Sequence, residues 1–163
     1  MPPEITATTT RSLADYTLPP LIIPRLRSRN VPDIIAELTQ VLHQHGCVRE
    51  SLPFYHAALN QEFLSNPASG SGIAFPHARS ASIKFLRFAL GRVPEPVQWR
   101  TQDHLPIQLI FLIAIPATEA TLYLQVLSRV AKLSREQEGL AELMAAADAA
   151  QMHAALERCR LLN

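Results

Sequence analysis

The segment from Leu105 to Ile115 constrains the fold more than any other part of the sequence. It is nearly continuously apolar after Gln108, and it ends at Pro116. An apolar run of this length falls far short of the roughly 18 to 20 residues that a membrane-spanning helix needs. A strand that is covered on both faces has this pattern, because neither face meets water. We therefore predict the central strand of a sheet that has helices on both sides.

Two helices are predicted ahead of this strand. Apolar residues recur at helical spacing from Val31 to Leu42, and Gly46 is placed to end that helix. A second helix is indicated from Ser51, a possible N-cap, to about Leu64. Residues 21–23 are enclosed by prolines, so they predict only a short edge strand or an extended segment.

The elements that follow predict the rest of the sheet and a second layer of helices. Phe85–Leu90 predicts a strand, whereas Val93–Arg100 contains two prolines and predicts irregular structure. An amphipathic helix is predicted from about Thr118 to Leu133, and two further helices follow it. This order predicts an α/β fold, a three-layer sandwich in which a small mixed β-sheet is flanked by helices on both faces.

Length and charge describe an ordinary globular domain. At 163 residues, the chain has the size of one domain. Residues 1–16 are rich in Thr and Pro without periodicity, so we predict a flexible N-terminal tail and a domain over residues 17–163. Charged residues make up 18% and the net charge is +1, so no strong overall field favours nucleic acid or an anionic membrane as a partner.

Features that bear on location predict a cytoplasmic protein without membrane insertion. The N-terminus has no basic start followed by an apolar stretch, so no signal peptide is expected. Cys47 and Cys159 form no C-x-x-C pair and have no metal-ligand spacing. Their pattern predicts two unpaired, buried thiols, which a reducing compartment allows.

A glycine-rich loop leads to the most suggestive histidine in the chain. Gly70 and Gly72 permit backbone conformations that other residues resist. The apolar segment that follows stops at Pro76, which cannot donate a hydrogen bond to a ladder, so His77 is expected at the end of a strand. A histidine held there by backbone suits a nucleophile that another protein must reach, although it can also merely cap a loop.

Gly-Ile-Ala-Phe-Pro-His-Ala-Arg at 72–79 resembles the Gly-Ile-Ala-Ile-Pro-His segment of a known family. This family comprises the fructose/mannitol-type IIA domains of the bacterial phosphoenolpyruvate:sugar phosphotransferase system and their nitrogen-regulatory members. The similarity covers nearly the whole chain from about residue 17, including the apolar strand that ends at Pro116 and the Leu124–Leu127 helix opening. The resemblance implies that His77 is the phosphorylated residue, that a histidine-containing phosphocarrier is the donor, and that no cofactor is required.

Two positions depart from the family pattern where it bears on function. Family members usually carry a second histidine where this chain has Tyr123, and an arginine where it has Gln61. Glutamine supplies neither the permanent charge nor the forked donors that arginine offers to phosphoryl oxygens. The resemblance makes Gln61, Gly72 and Tyr123 candidate site residues, and Arg79 is the nearest candidate substitute for the missing cation.

Three functions remain open on the sequence. The first is a IIA-like protein that accepts a phosphoryl group on His77 and regulates a protein target. The second is a non-catalytic IIA-like binding module whose phosphorylation site has degenerated through Gln61 and Tyr123. A metal-dependent hydrolase is the third, and it has little support because the remaining histidines are scattered without ligand spacing: His43, His45, His56, His104 and His153.

Overall fold

The predicted central strand lies at the centre of the sheet. The computed structural model describes residues 11–64, 72–99 and 106–161. Strand β5 spans Pro106–Pro116 and pairs on one side, antiparallel, with β4, which spans Arg87–Gln98. On its other side β5 pairs in parallel with β2, Gly72–Ala74, and further along with β3, His77–Ser80. The sheet is therefore mixed, as the sequence predicts.

A short strand completes the sheet at the outer side of β4. Strand β1 comprises only Ile22–Ile23 and pairs in parallel with Leu90 and Gly91. Prolines on both sides of this segment limit its length, because proline cannot donate to a ladder. The predicted short edge strand is confirmed, and the sheet has five strands among the described residues.

The two faces of the sheet bury separate apolar layers. Along β5, Phe111 and Ile113 face one layer, whereas Ile110 and Leu112 face the other, because successive side chains of a strand alternate. The helices are Val31–Gln44 (α1), Ser51–Leu64 (α2), Leu122–Leu133 (α3), Gln137–Ala145 (α4) and Ala149–Glu157 (α5). Helices α1 and α2 cover the second face, and α3 to α5 cover the first. The three-layer α/β sandwich is therefore confirmed.

Local signals explain where α1 begins and ends. The Asn30 side chain accepts a hydrogen bond from the Asp33 N–H at 2.9 Å, and Pro32 stands in the first turn, where its missing N–H costs no hydrogen bond. At the other end, Gly46 has a φ of 76°, a left-handed conformation that glycine adopts without strain. Within the described part of the chain, no helix is long and apolar enough to cross a membrane.

Strand β4 corrects the prediction of irregular structure at Val93–Arg100. The strand continues to Gln98, and the pairing with β5 shifts register between Arg92 and Val97. Pro94 and Pro96 lie within this irregular part of the ladder, where no regular hydrogen bond requires their missing N–H groups. The prolines therefore interrupt the pairing without ending the strand.

The prediction of a loose tail over residues 1–16 is wrong for residues 11–16. Leu13–Tyr16 forms a short 3₁₀ turn in which Leu13 and Tyr16 are buried. The Leu13 N–H donates to the Cys159 carbonyl at 2.9 Å, so this segment is fixed to the end of the chain after α5. The contact is remote in sequence and local composition does not reveal it. Residues 1–10 lie outside the described residues.

Candidate functional site

The backbone around His77 is fixed by the central strand. His77 is the first residue of β3 and lies opposite Ile113 of β5. The Ile113 N–H donates to the carbonyl of Pro76 at 3.0 Å, so the residue before the histidine is also bonded to β5. Pro76 itself cannot donate, and the regular pairing of β3 begins only after it. The result is a half-buried imidazole at the beginning of a strand, and not at the tip of a loop.

A single hydrogen bond determines the form of the His77 ring. Its Nδ1 lies 3.0 Å from the carbonyl oxygen of Phe75. Because a carbonyl oxygen can only accept, Nδ1 carries the proton and donates it. In the neutral ring, Nε2 therefore carries the lone pair. The local chain thus presents one defined nucleophilic nitrogen, which the sequence did not distinguish from the other.

Arg79 and Tyr123 are in direct contact beside the histidine strand. His77 and Arg79 leave the same face of β3, because residues two apart in a strand share a face. The guanidinium carbon of Arg79 lies 4.7 Å from the centroid of the Tyr123 ring, in a cation–π arrangement. Arg79 Nη2 also donates to the carbonyls of Ala117 and Glu119, at 3.0 and 2.6 Å. Arg79 therefore joins β3 to the beginning of α3.

Gln61 lies shortly before residues 65–71, which are outside the described residues, and Gly72 follows them directly. Gln61 is exposed in the last turns of α2, whose buried face packs against α1 and β3. The next residue, Glu62, points inward and accepts a hydrogen bond from the Trp99 indole N–H at 2.6 Å, which anchors this end of α2. Gly72 begins β2 with a φ of 90°, a conformation that favours glycine.

Glu119 is a structural member of this region that sequence reasoning missed. Its carboxylate accepts hydrogen bonds from the N–H groups of Leu122 and Thr121, at 2.9 and 3.2 Å, at the start of α3. The hydrogen bond from the Leu122 N–H is the main cause that holds the pKa of the Glu119 carboxyl below its usual range, and the bond from the Thr121 N–H adds to it. The predicted start of the helix at Thr118 is too early, because the chain first forms this cap. An acidic residue just before an apolar helix was the available signal.

We expect Glu119→Gln to weaken the protein most at neutral pH. A carboxyl with a lowered pKa contributes stability above its unfolded-state pKa, and that contribution is lost as the pH falls through the folded-state pKa. The difference in the free energy of unfolding between the wild type and Glu119→Gln should therefore shrink on acidification. Urea unfolding at several pH values measures it. Glu157→Gln, at the exposed end of α5, is the control, and equal pH dependence of both variants contradicts the capping role.

The remaining histidines that the structure describes each contact backbone carbonyls or a ring, and not a set of possible metal ligands. His43 and His45 each place Nδ1 2.9 Å from a backbone carbonyl of the α1 region, and His153 places Nε2 3.0 Å from the Ala14 carbonyl. His56 lies next to the Tyr55 ring, and His104 lies outside the described residues. Among the described residues, no three His, Cys, Asp or Glu side chains come together in a way that would hold a metal ion.

Comparison with protein families and curated proteins gives consistent matches. The family model "Phosphoenolpyruvate-dependent sugar phosphotransferase system, EIIA 2" matches residues 18–159. The chain is 26% identical over 144 residues to a nitrogen regulatory protein of Bradyrhizobium diazoefficiens, and this match covers 88% of the chain and 94% of that protein. It is 31% identical over 121 residues, 74% of the chain, to a fructose-specific EIIABC component of Bacillus subtilis, and the match spans only 19% of that protein.

Solved structures share the fold. The crystal structure of nitrogen regulatory protein IIA-Ntr from Neisseria meningitidis superimposes with a TM-score of 0.80 at 24% identity, over 88% of this chain and 98% of that one. Enzyme IIA for mannitol from Escherichia coli, solved in complex with phosphorylated enzyme IIB, superimposes with a TM-score of 0.69 at 18% identity, over 84% and 94%. Together with the family model, which covers most of the chain, these matches show that the chain belongs to the EIIA type 2 family of the phosphoenolpyruvate-dependent sugar phosphotransferase system.

Proposed function

We propose that the chain accepts a phosphoryl group on Nε2 of His77 from a histidine-containing phosphocarrier protein. The observation that carries this proposal is the hydrogen bond from Nδ1 to the Phe75 carbonyl, which leaves the lone pair on Nε2. Family membership supports the reaction class, and the match of residues 72–79 to the family motif supports the residue. The donor proteins act where phosphoenolpyruvate is made, so the proposal places the protein in the cytoplasm.

The transfer needs few groups besides the histidine itself. Nε2 attacks the phosphorus of the carrier's phosphohistidine, and the new N–P bond forms while the donor's N–P bond breaks. The electron pair of the broken bond leaves with the donor nitrogen. No proton has to leave Nε2, and Nδ1 keeps its proton and donates it to the Phe75 carbonyl, which stabilises the positive charge that develops on the ring. In-line positioning and electrostatic stabilisation supply most of the catalysis in such reactions.

A regulatory role fits the match to the nitrogen regulatory protein, which extends over 94% of that relative. In this role the phosphorylation state of His77 sets the affinity for a protein target. The mannitol enzyme IIA of Escherichia coli is known in complex with phosphorylated enzyme IIB, which supports the proposal that this chain also acts on protein partners. For this chain, a phosphocarrier donor and a regulated protein target are the partners that we propose.

The test is intact-mass analysis after incubation with phosphoenolpyruvate, the general phosphotransferase enzyme and its phosphocarrier. We expect an acid-labile gain of one phosphoryl group in the wild type and complete loss of this gain in His77→Ala. The matched control is His56→Ala, which removes an exposed histidine from α2 and should leave the gain unchanged. No gain in the wild type with a competent donor refutes the proposal.

A second candidate is a IIA-like binding module that no longer transfers phosphate efficiently. The observation in its favour is that Arg79, the nearest cation to the histidine in the sequence, already uses Nη2 on two backbone carbonyls and packs on Tyr123. A guanidinium engaged in this way contributes less to a phosphoryl group than one aimed at it. This candidate predicts target binding that is the same for the wild type and for His77→Ala.

A further inference from the structure

A cavity of about 320 Å³ lies outside the His77 region. Three connections of the chain form its walls: the turn before β1 with Leu18 and Leu21, the α1–α2 connection with Cys47, and the β3–β4 connection with Phe85. Its volume falls within the range of about 300 to 1,000 Å³ that is typical of small-molecule sites. None of the candidate phosphotransfer residues lines it, so this cavity has no role in the reaction proposed above.

Apolar side chains form part of the rim and of the wall of the cavity. Leu18 is 57% exposed and Phe85 is 66% exposed, which makes them two of the most exposed large apolar side chains in the described chain. Leu21, which also lines the cavity, is buried at 1% exposure and forms part of the core. Apolar area exposed next to a cavity is stabilised when an apolar ligand removes it from water. The cavity therefore offers both an exposed apolar rim and a buried apolar wall to a ligand.

The same cavity is lined by three permanent cations. Arg49, Lys84 and Arg87 contribute to its wall, and the lining residues that the structure describes include no carboxylate. Nor does any of these three side chains form an ion pair with a described residue. Arg87 is held in place, because its Nη1 donates to the Leu86 carbonyl at 2.7 Å and its guanidinium carbon lies 5.6 Å from the Phe85 ring centroid.

This local charge contrasts with the chain as a whole, whose net charge is only +1. Asp15 and Glu119 share a neighbouring surface pocket with Lys84 and Arg87, but no described carboxylate lines this cavity, so like charges dominate its wall and favour an anion. A molecule that fills the cavity contacts both the apolar rim and the cations, because both line it. A neutral apolar ligand gains no attraction from these charges, and a small polar anion leaves the apolar rim in water.

We propose that this cavity binds a small amphipathic anion that has an apolar body and one terminal carboxylate or phosphate. The apolar body packs against Leu18, Leu21 and Phe85, while Arg49, Lys84 and Arg87 surround the head group. The proposal does not depend on phosphoryl transfer to His77, and the two can fail separately.

The test is isothermal titration calorimetry of the full chain with decanoate and decyl phosphate, below the concentrations at which these probes aggregate. Decanol and decyltrimethylammonium are the neutral and cationic controls of equal chain length. We expect one anion per chain, with each control weaker by at least about tenfold, since one charged contact corresponds to roughly that factor. Tighter binding of decyl phosphate than of decanoate assigns the head group as a phosphate, and the reverse assigns a carboxylate. Absence of anion binding, or equal affinity for decanol, overturns the proposal.

Charge-removing variants locate the bound anion. Lys84→Met keeps the apolar stem and removes the charge, and we expect it to weaken decanoate binding by about tenfold. Lys132→Met makes the same change on α3, away from the cavity, and should leave the affinity unchanged. Unfolding curves of both variants verify that they fold. Equal affinities for the two variants place the anion elsewhere and refute the site.

Cys47 gives an independent measure of occupancy. It lines the cavity and is only half-buried, contrary to the prediction of a buried thiol, whereas Cys159 is buried at 4% exposure. Burial raises the pKa of the Cys47 thiol, so alkylation with iodoacetamide is followed at alkaline pH. We expect decanoate to slow the modification of Cys47, in proportion to the occupancy that calorimetry reports. An unchanged rate at saturating decanoate contradicts binding in this cavity.

Discussion

Replacing Gln61 by arginine should accelerate phosphoryl transfer to His77 by about ten- to a hundredfold, the range that a new charge-assisted hydrogen bond supplies. Gln61 is exposed on α2. The adjacent Glu62 accepts a hydrogen bond from the Trp99 indole N–H, which fixes this end of the helix. Arginine at this position adds a forked, permanently charged donor to a helix that packs against β3. Single-turnover transfer from the phosphorylated carrier, followed by intact mass, measures the rate.

The matched control for this prediction is Asn60→Arg. Asn60 is exposed on the same helix one residue earlier. Arginine at position 60 therefore adds the same charge but points in a different direction. A similar acceleration by both variants means that general attraction of the carrier, and not contact with the phosphoryl group, is responsible. No acceleration by Gln61→Arg contradicts the prediction and means that the site does not depend on a cation at this position.

The double variant Gln61→Arg with Tyr123→His distinguishes the two candidate functions further. Restoring the family residues should rescue transfer strongly if the site has degenerated. Tyr123→His also removes the ring on which Arg79 packs, so the unfolding curve of the variant has to be compared with that of the wild type. A double variant that is stably folded and no faster than the wild type supports a site that already works with its own residues.

Replacing Phe111 by alanine should cost about 3 to 5 kcal/mol of folding free energy, the range measured for large aromatic residues in cores. Phe111 is fully buried at the centre of β5, and its ring centroid lies 5.4 Å from that of Phe88 on the neighbouring strand. The substitution leaves a cavity between the central strand and the helices of its layer, which the rigid sheet cannot close. A chain of this size should lose about 6 to 20 °C in Tm.

Phe63→Ala is the control for this prediction. Phe63 is 64% exposed on α2, and a surface substitution of this kind should change the stability by no more than about 0.5 kcal/mol. Urea unfolding of both variants gives the free energies directly. A loss below about 1 kcal/mol for Phe111→Ala would mean that the layer around β5 repacks without a cavity, contrary to the tight packing expected of a core.

The patterns that predicted the fold correctly are those in which local sequence and burial agree. Leu105–Ile115 is nearly continuously apolar after Gln108, so the central strand between two helical layers followed from this apolar run. Gly46 ends α1 in a left-handed conformation, where glycine is favoured over residues with a side chain. The prediction of irregular structure at Val93–Arg100 was wrong because Pro94 and Pro96 indicate a break locally, whereas β4 accommodates them by shifting its register against β5.

The motif at 72–79 makes His77 the candidate site residue through its resemblance to the family segment, and this choice stays a prediction. The motif was not sufficient to select the reactive nitrogen. That choice depends on the carbonyl of Phe75, whose direction is set when the chain pairs with β5. Likewise, nothing near Arg79 in the sequence reveals that it binds the carbonyls of Ala117 and Glu119.

The order of elements, the central strand and the candidate histidine can be predicted from the sequence, since each rests on an apolar pattern or on residues a few positions apart. The partners of Arg79, the packing of residues 11–16 and the cavity lined by Arg49, Lys84 and Arg87 depend on the tertiary structure. Those features join residues that are distant along the chain, and their positions are set by how strands and helices pack. Local physical preferences carry no information about such contacts.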